Sequence, residues 1–166
     1  MYVVWALVAM LALSGAYAVF DSELLQASPN LQSVSLAQSM SEYRQALVAY
    51  SLSYPNAQGS VSSAALKPFL SPYAVNPLWQ TYIIRNNGSQ GTPNNANHGS
   101  TVVVYTTSSA AAVAISGIEQ LSQGSALAGV ASQGYVVSPG NPAVPLPAAL
   151  ATSIPSGTPV WIAEAY

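Results

Sequence analysis

Along the chain, apolar and polar positions change their rhythm several times, and each rhythm predicts a different element. From Tyr2 to Phe20 no charged residue occurs. Nineteen helical positions would span about 28 Å, close to the hydrocarbon thickness of a bilayer. A transmembrane anchor over 1–20 is the first expectation. A signal peptide over 1–18 is the alternative, because Ala16-Tyr17-Ala18 has the small-x-small spacing of a cleavage site; a buried core helix is the third. With no Lys or Arg before Arg44, orientation rests on the short uncharged N-terminus staying inside. That gives N-in, C-out, with the following domain in the periplasm.

Residues 21–30 read as a juxtamembrane link, interrupted by Pro29. A helix then starts near Asn30. Leu36, Met40, Tyr43, Leu47, Tyr50 and Tyr54 follow a 4-3-4-3-4 spacing, with Gln38, Ser41, Glu42, Gln45 and Ser51 assigned to other faces. Pro55-Asn56 and Gly59 end it. Such a stripe packs on the domain's own sheet in the plainer reading. In the sharper one Met40, Tyr43, Leu47, Tyr50 and Tyr54 are candidate partner contacts, three of them tyrosines able to keep a wet hydroxyl.

After a short helical turn at Ser63–Leu66, Leu78–Arg85 (LWQTYIIR) and 101–107 (TVVVYTT) read as strands. Between them, 86–100 is turn chemistry throughout, an exposed loop. Residues 108–124 form a helix opened by an N-capping Ser, with Val113, Ile118 and Leu121 as its apolar positions and Gly117 as a weakness. Strands at 134–139 (GYVVSP) and 159–165 (PVWIAEA) follow, separated by a proline-rich passage in which ALATSIP holds one helical turn. The predicted fold class is α+β: an N-terminal transmembrane helix, then a long amphipathic helix packed on a small antiparallel sheet, with 31–166 as one periplasmic domain.

Composition narrows the function. Charged residues make up 5% of the 166 positions and hydrophobic ones 51%, against roughly 25% charged in an average soluble domain. Neutral Ser, Thr, Asn and Gln supply the polarity, which suits an extracytoplasmic or packed assembly subunit. Three basic residues in a chain of net charge −2 cannot neutralise a phosphate backbone, so nucleic acid is not an expected partner. With no cysteine neither a disulfide framework nor a thiolate metal site can form.

Candidate chemistry is sparse. His98, in Asn97-His98-Gly99-Ser100, could serve as base to a serine in a secreted hydrolase, but no G-x-S-x-G elbow accompanies it. Glu119 and Glu164 could meet as a carboxylate couple; Asp21 and Glu23 flank the apolar segment. Glu42 and Arg44, two apart on a helix, face different ways. Lys67 reads as solubilising, Trp79 and Trp161 as core or sheet-face aromatics, and Trp5 as an interfacial residue. No metal-ligand spacing, P-loop or dinucleotide motif occurs, so no catalytic residue, metal, cofactor or small-molecule substrate is expected. A filament-forming pilin would need a basic leader ending in Gly and an early Glu in the apolar helix; neither is present.

The apolar start, the helix LAQSMSEYRQALVAYSLSYPNAQGSV, the strands LWQTYIIR and TVVVYTT, and the closing IPSGTPVWIAEAY together resemble the PilM proteins of plasmid-type thin type IVb pili, a group separate from the cytoplasmic actin-like proteins of that name. The residues most specific to the likeness are Met40, Tyr43, Arg44, Ala46 and Tyr50, the Pro55–Gly59 turn and Gly157–Trp161. The resemblance implies a non-enzymatic accessory inner-membrane protein of pilus biogenesis, tied to the pilin transport apparatus or basal body and to conjugative mating in liquid. Its partners would be other pilus assembly proteins and pilin. A minor pilin-like subunit within the filament is the competing reading.

Overall fold

The structure, a computed structural model, describes residues 31–71, 75–85 and 99–166. The anchor or signal over 1–20, the link over 21–30, and most of the 86–100 loop with His98 lie outside them. Among the described residues no helix is long and apolar enough to cross a membrane.

Helix α1, Leu31–Ser53, matches the predicted helix closely. Its end is built from short-range bonds: Tyr54 N–H donates to the Tyr50 carbonyl and Ala57 N–H to that of Tyr54. Gly59, at φ +95°, then supplies the left-handed turn. The buried face is not the stripe of large residues alone. Ser33, Ala37, Met40, Tyr43, Ala46, Leu47 and Ser51 are buried, whereas Leu36 and Tyr50 are half-buried and Tyr54 is exposed. Ser51, expected on a polar face, is buried because its hydroxyl donates to the Val48 carbonyl at 2.9 Å within the helix, which satisfies it without water.

Among the described residues the sheet has seven strands, not a small set of four. In chain order they are β1 (Gly59–Ser60), β2 (Gln80–Arg85), β3 (Ser100–Tyr105), β4 (Ala128–Ser132), β5 (Tyr135–Val137), β6 (Val144–Pro145) and β7 (Pro159–Ala165). Their lateral order is β1-β2-β3-β7-β4-β5-β6, and every pairing is antiparallel. The predicted β2–β3 hairpin is present, with Ile83 opposite Val102 and Thr81 opposite Val104. Strand β4 has no counterpart in the sequence reading. Its AGVAS holds one β-branched residue, and β7 on one side and β5 on the other hold it in the sheet. Gln133 and Gly134, both with positive φ, form the two-residue turn that matches strand twist. Gly134 therefore belongs to that turn, and β5 starts at Tyr135.

Both faces of this sheet are covered. On one, α1 and the segment after β3 bury Ile83, Val102, Val104, Trp161 and Ala128 together with Met40, Tyr43 and Leu47. On the other, Val103, Tyr105, Val160 and Ile162 pack against Leu146, Leu150 and Ile154 of the proline-rich passage. That passage makes successive turns, with Leu150 and Ala151 bonding back to Pro147 and Ile154 to Leu150.

The predicted 108–124 helix divides in two. Ser108 Oγ accepts from Ala110 N–H and opens a 3-10 helix, Ser109–Ala114, followed by α3, Ile115–Leu121; α2 is the Ser63–Leu66 turn, capped by Ser62. Val113 and Leu121 are exposed, and the buried positions are Ala111, Ala114, Gly117 and Ile118. At Gly117 α3 lies close against α1: a Cβ there would meet the Ser33 carbonyl oxygen at 2.6 Å and Ala37 Cβ at 2.9 Å. What reads as a weak point in a helix is a contact that admits only glycine.

Candidate functional site

The α1 stripe divides between interior and surface. Met40, Tyr43 and Leu47 are 0–1% exposed and pack in the domain's own core, so in this fold they have no surface to present. Tyr43 also spends its hydroxyl internally, donating to the Asn76 carbonyl at 3.1 Å and accepting from Asn76 N–H at 3.0 Å. This holds the chain that leads into β2 and leaves Trp79 placed to donate its indole N–H to Ser39 Oγ. The two ends of the stripe reach solvent, Leu36 at one and Tyr50 and Tyr54 at the other. Tyr50 lies 4.7 Å from Tyr54 and 5.8 Å, edge-on, from Phe69. Tyr54 and Leu52 are each more than half exposed.

Among the described residues the enzymatic candidates are not assembled into a site. Ser100 is a buried residue of β3. Glu119 lies on α3, on the helical side of the sheet, while strand alternation puts Glu164 on the face opposite to that of Trp161. The sheet stands between these two carboxylates. Among the described residues no group of three or more His, Asp or Glu side chains could hold a metal ion.

One polar constellation lies where sequence reasoning placed none. The Arg44 guanidinium lies 4.6 Å from the centroid of the Trp161 ring, a cation–π arrangement. Its Nε is buried without a hydrogen-bond partner, and burial pushes the guanidinium down from its ordinary pKa. Beside it is a cavity of about 290 Å³ lined by Leu121, Ser122, Gln123, Ser125 and Leu127 as well as Arg44 and Trp161. The signal was available: Arg44 is four residues after Met40 and three before Leu47, so it shares their helical face. An arginine on the apolar side of a charge-poor helix must be stacked or satisfied.

Two other cavities are present. One of about 480 Å³ opens between Tyr43, Ser62, Asn76, Trp79, Gln80 and Tyr105; one of about 330 Å³ lies along Val34, Gln38, Glu42 and Ser71. Neither gathers groups for acid–base or nucleophilic work.

No curated protein and no solved structure matches this chain. The sequence model of the PilM family does, over residues 8–162. That span takes in α1, all seven strands up to Ile162 of β7, and the Arg44–Trp161 stack, so the chain belongs to the PilM family, associated with thin type IV pili.

Proposed function

We propose that this chain is a non-enzymatic accessory component of thin type IV pilus biogenesis, anchored in the inner membrane by its opening apolar segment. Residues 31–166 then stand in the periplasm and bind other assembly proteins of the pilin transport apparatus or basal body. The observation that carries the reading is the family match over 8–162. A 5% charge content and the absence of charge from Tyr2 to Phe20 support it, since a long uncharged stretch is stabilised by hydrocarbon rather than by water. The exposed Tyr50–Tyr54 end of α1 is the surface we assign to a partner, because aromatic side chains dominate protein contacts where they can be desolvated.

Deletion of the gene should abolish thin pili and mating in liquid. Complementation should require the full chain and fail when residues 1–20 are replaced by a cleavable signal. The protein should stay with carbonate-washed membranes and be nearly missing from sheared pili. Abundance in sheared pili would favour the filament-subunit reading instead, and complementation by the soluble periplasmic form would remove the anchor.

A further inference from the structure

The Arg44 cavity has the parts of a carboxylate receptor, and they come from three elements. The guanidinium on α1 is stacked on Trp161 of β7, with Nε buried and unpaired. At the rim, the turn after α3 runs through Gln123 and Gly124, both with positive φ. Asn141 braces it, its side-chain amide donating to the Gly124 carbonyl at 2.7 Å and the Pro139 carbonyl at 3.2 Å. Ser125 Oγ accepts from Leu127 N–H, which leaves its own proton available to donate. Leu121, 44% exposed, and Leu127 give the cavity an apolar wall. At about 290 Å³ it is near the small end of ligand pockets, roughly 300 Å³.

Among the described residues the sheet beside the cavity is unfinished. Strand β4 pairs with β7 only as far as Ala128 opposite Trp161, and the Ile162 N–H donates to the Leu127 carbonyl. Before Leu127 the chain lies in the 122–125 turn. Among the described residues, Ala163–Ala165 are paired with β3 alone. An extended chain could continue the ladder there and deliver its end toward Arg44.

We infer that this cavity binds the C-terminal residue of a peptide chain, its carboxylate taken by the Arg44 fork and the Ser125 hydroxyl and its apolar side chain by Leu121 and Leu127. An arginine fork suits the planar, two-oxygen geometry of a carboxylate. A positive group with an unpaired buried donor selects an anion over a neutral group. A chain end fits where a continuous strand does not, since the cavity is small and the ladder stops at its mouth. The inference is independent of the pilus role, because it is read on the purified chain.

The test is NMR on the ¹⁵N-labelled full-length chain in detergent micelles, following the Trp161 indole N–H and the Arg44 Nε–H. N-acetyl-leucine should shift both with about millimolar affinity, and N-acetyl-leucinamide should shift neither. Arg44→Gln should weaken the acid at least about tenfold, with Arg44→Lys, which keeps charge without the fork, in between. Since Arg44→Gln could also unfold the domain, the acid–amide contrast in the unaltered chain decides. Equal shifts from acid and amide, or none from either at millimolar concentration, overturn the receptor. The control for the chain end is N-acetyl-aspartate 1-amide, whose carboxylate is on the side chain and not at the C-terminus; binding of that compound as tight as N-acetyl-leucine overturns the chain-end assignment.

Discussion

The two faces of the sheet are buried by opposite means. One is roofed by a 23-residue helix with a 3-10 segment and α3 laid against it. The other is roofed by the passage from Pro139 to Thr158, which contains only turns and the two-residue β6. Yet Val102 and Val104 under the helices and Val103 under the passage are all fully buried. A regular element is therefore not required to seal a sheet. A chain rich in proline loses less entropy on ordering, and Leu146, Leu150 and Ile154 supply the apolar area. The difference should lie in how each cover yields when a side chain is removed. A helix moves as a unit, whereas a chain of turns can collapse locally.

The largest expected effect is on the helical side. Leu47→Ala should cost about 3–4 kcal/mol and Leu150→Ala about 2 kcal/mol, because the cost of a cavity falls where the surroundings can close on it. Equilibrium urea unfolding of the full-length chain would measure both. Equal losses would mean that the proline passage is as rigid as α1. Next in size is the glycine contact. Gly117→Val places side-chain atoms against the Ser33 carbonyl and Ala37 and should cost about 2–3 kcal/mol by overpacking. If Gly117→Val were neutral, α1 and α3 would have to be free to separate, and the helical cover would not be the stiff one.

Tyr43→Phe sharpens the same comparison at one hydroxyl. It removes both bonds to the Asn76 backbone and should cost about 1–2 kcal/mol, with faster amide exchange at Asn76. Exchange in the proline passage should not change, since no bond links it to Tyr43.

How legible this arrangement was depends on which force set each element. The length of α1, the β2–β3 hairpin and β7 follow from periodicity and β-branched runs, signals local to a few residues. TVVVY also carried a message that went unread: three consecutive buried valines do not alternate, and a strand without alternation is covered on both faces. Strand β4 was hidden because Ala128, Gly129 and Ala131 have little intrinsic strand preference. Gly129 is small because a Cβ there would collide with the Val137 carbonyl, a constraint set by β5 rather than by neighbours in sequence. The Arg44 cavity combines residues from α1, the α3–β4 turn and β7, and no local pattern could bring them together. Its cation nonetheless stood in plain view between Met40 and Leu47.

The smallest effect concerns pH, and it belongs to the face under the proline passage. Burial pushes the Tyr105 phenol above its ordinary value, and the neighbouring Tyr82 adds to this. A pKa raised in the folded state means that the neutral phenol is favoured by folding. The associated stability is intact below the unfolded value of about 10 and declines as pH rises past it toward the folded value. Tyr105→Phe should therefore flatten the fall in stability above about pH 10, measured as the shift in urea midpoint between neutral and alkaline buffer. Should Tyr105→Phe leave that slope unchanged, the proline passage would be admitting water to Tyr105, and the looser cover would be looser than its packing indicates.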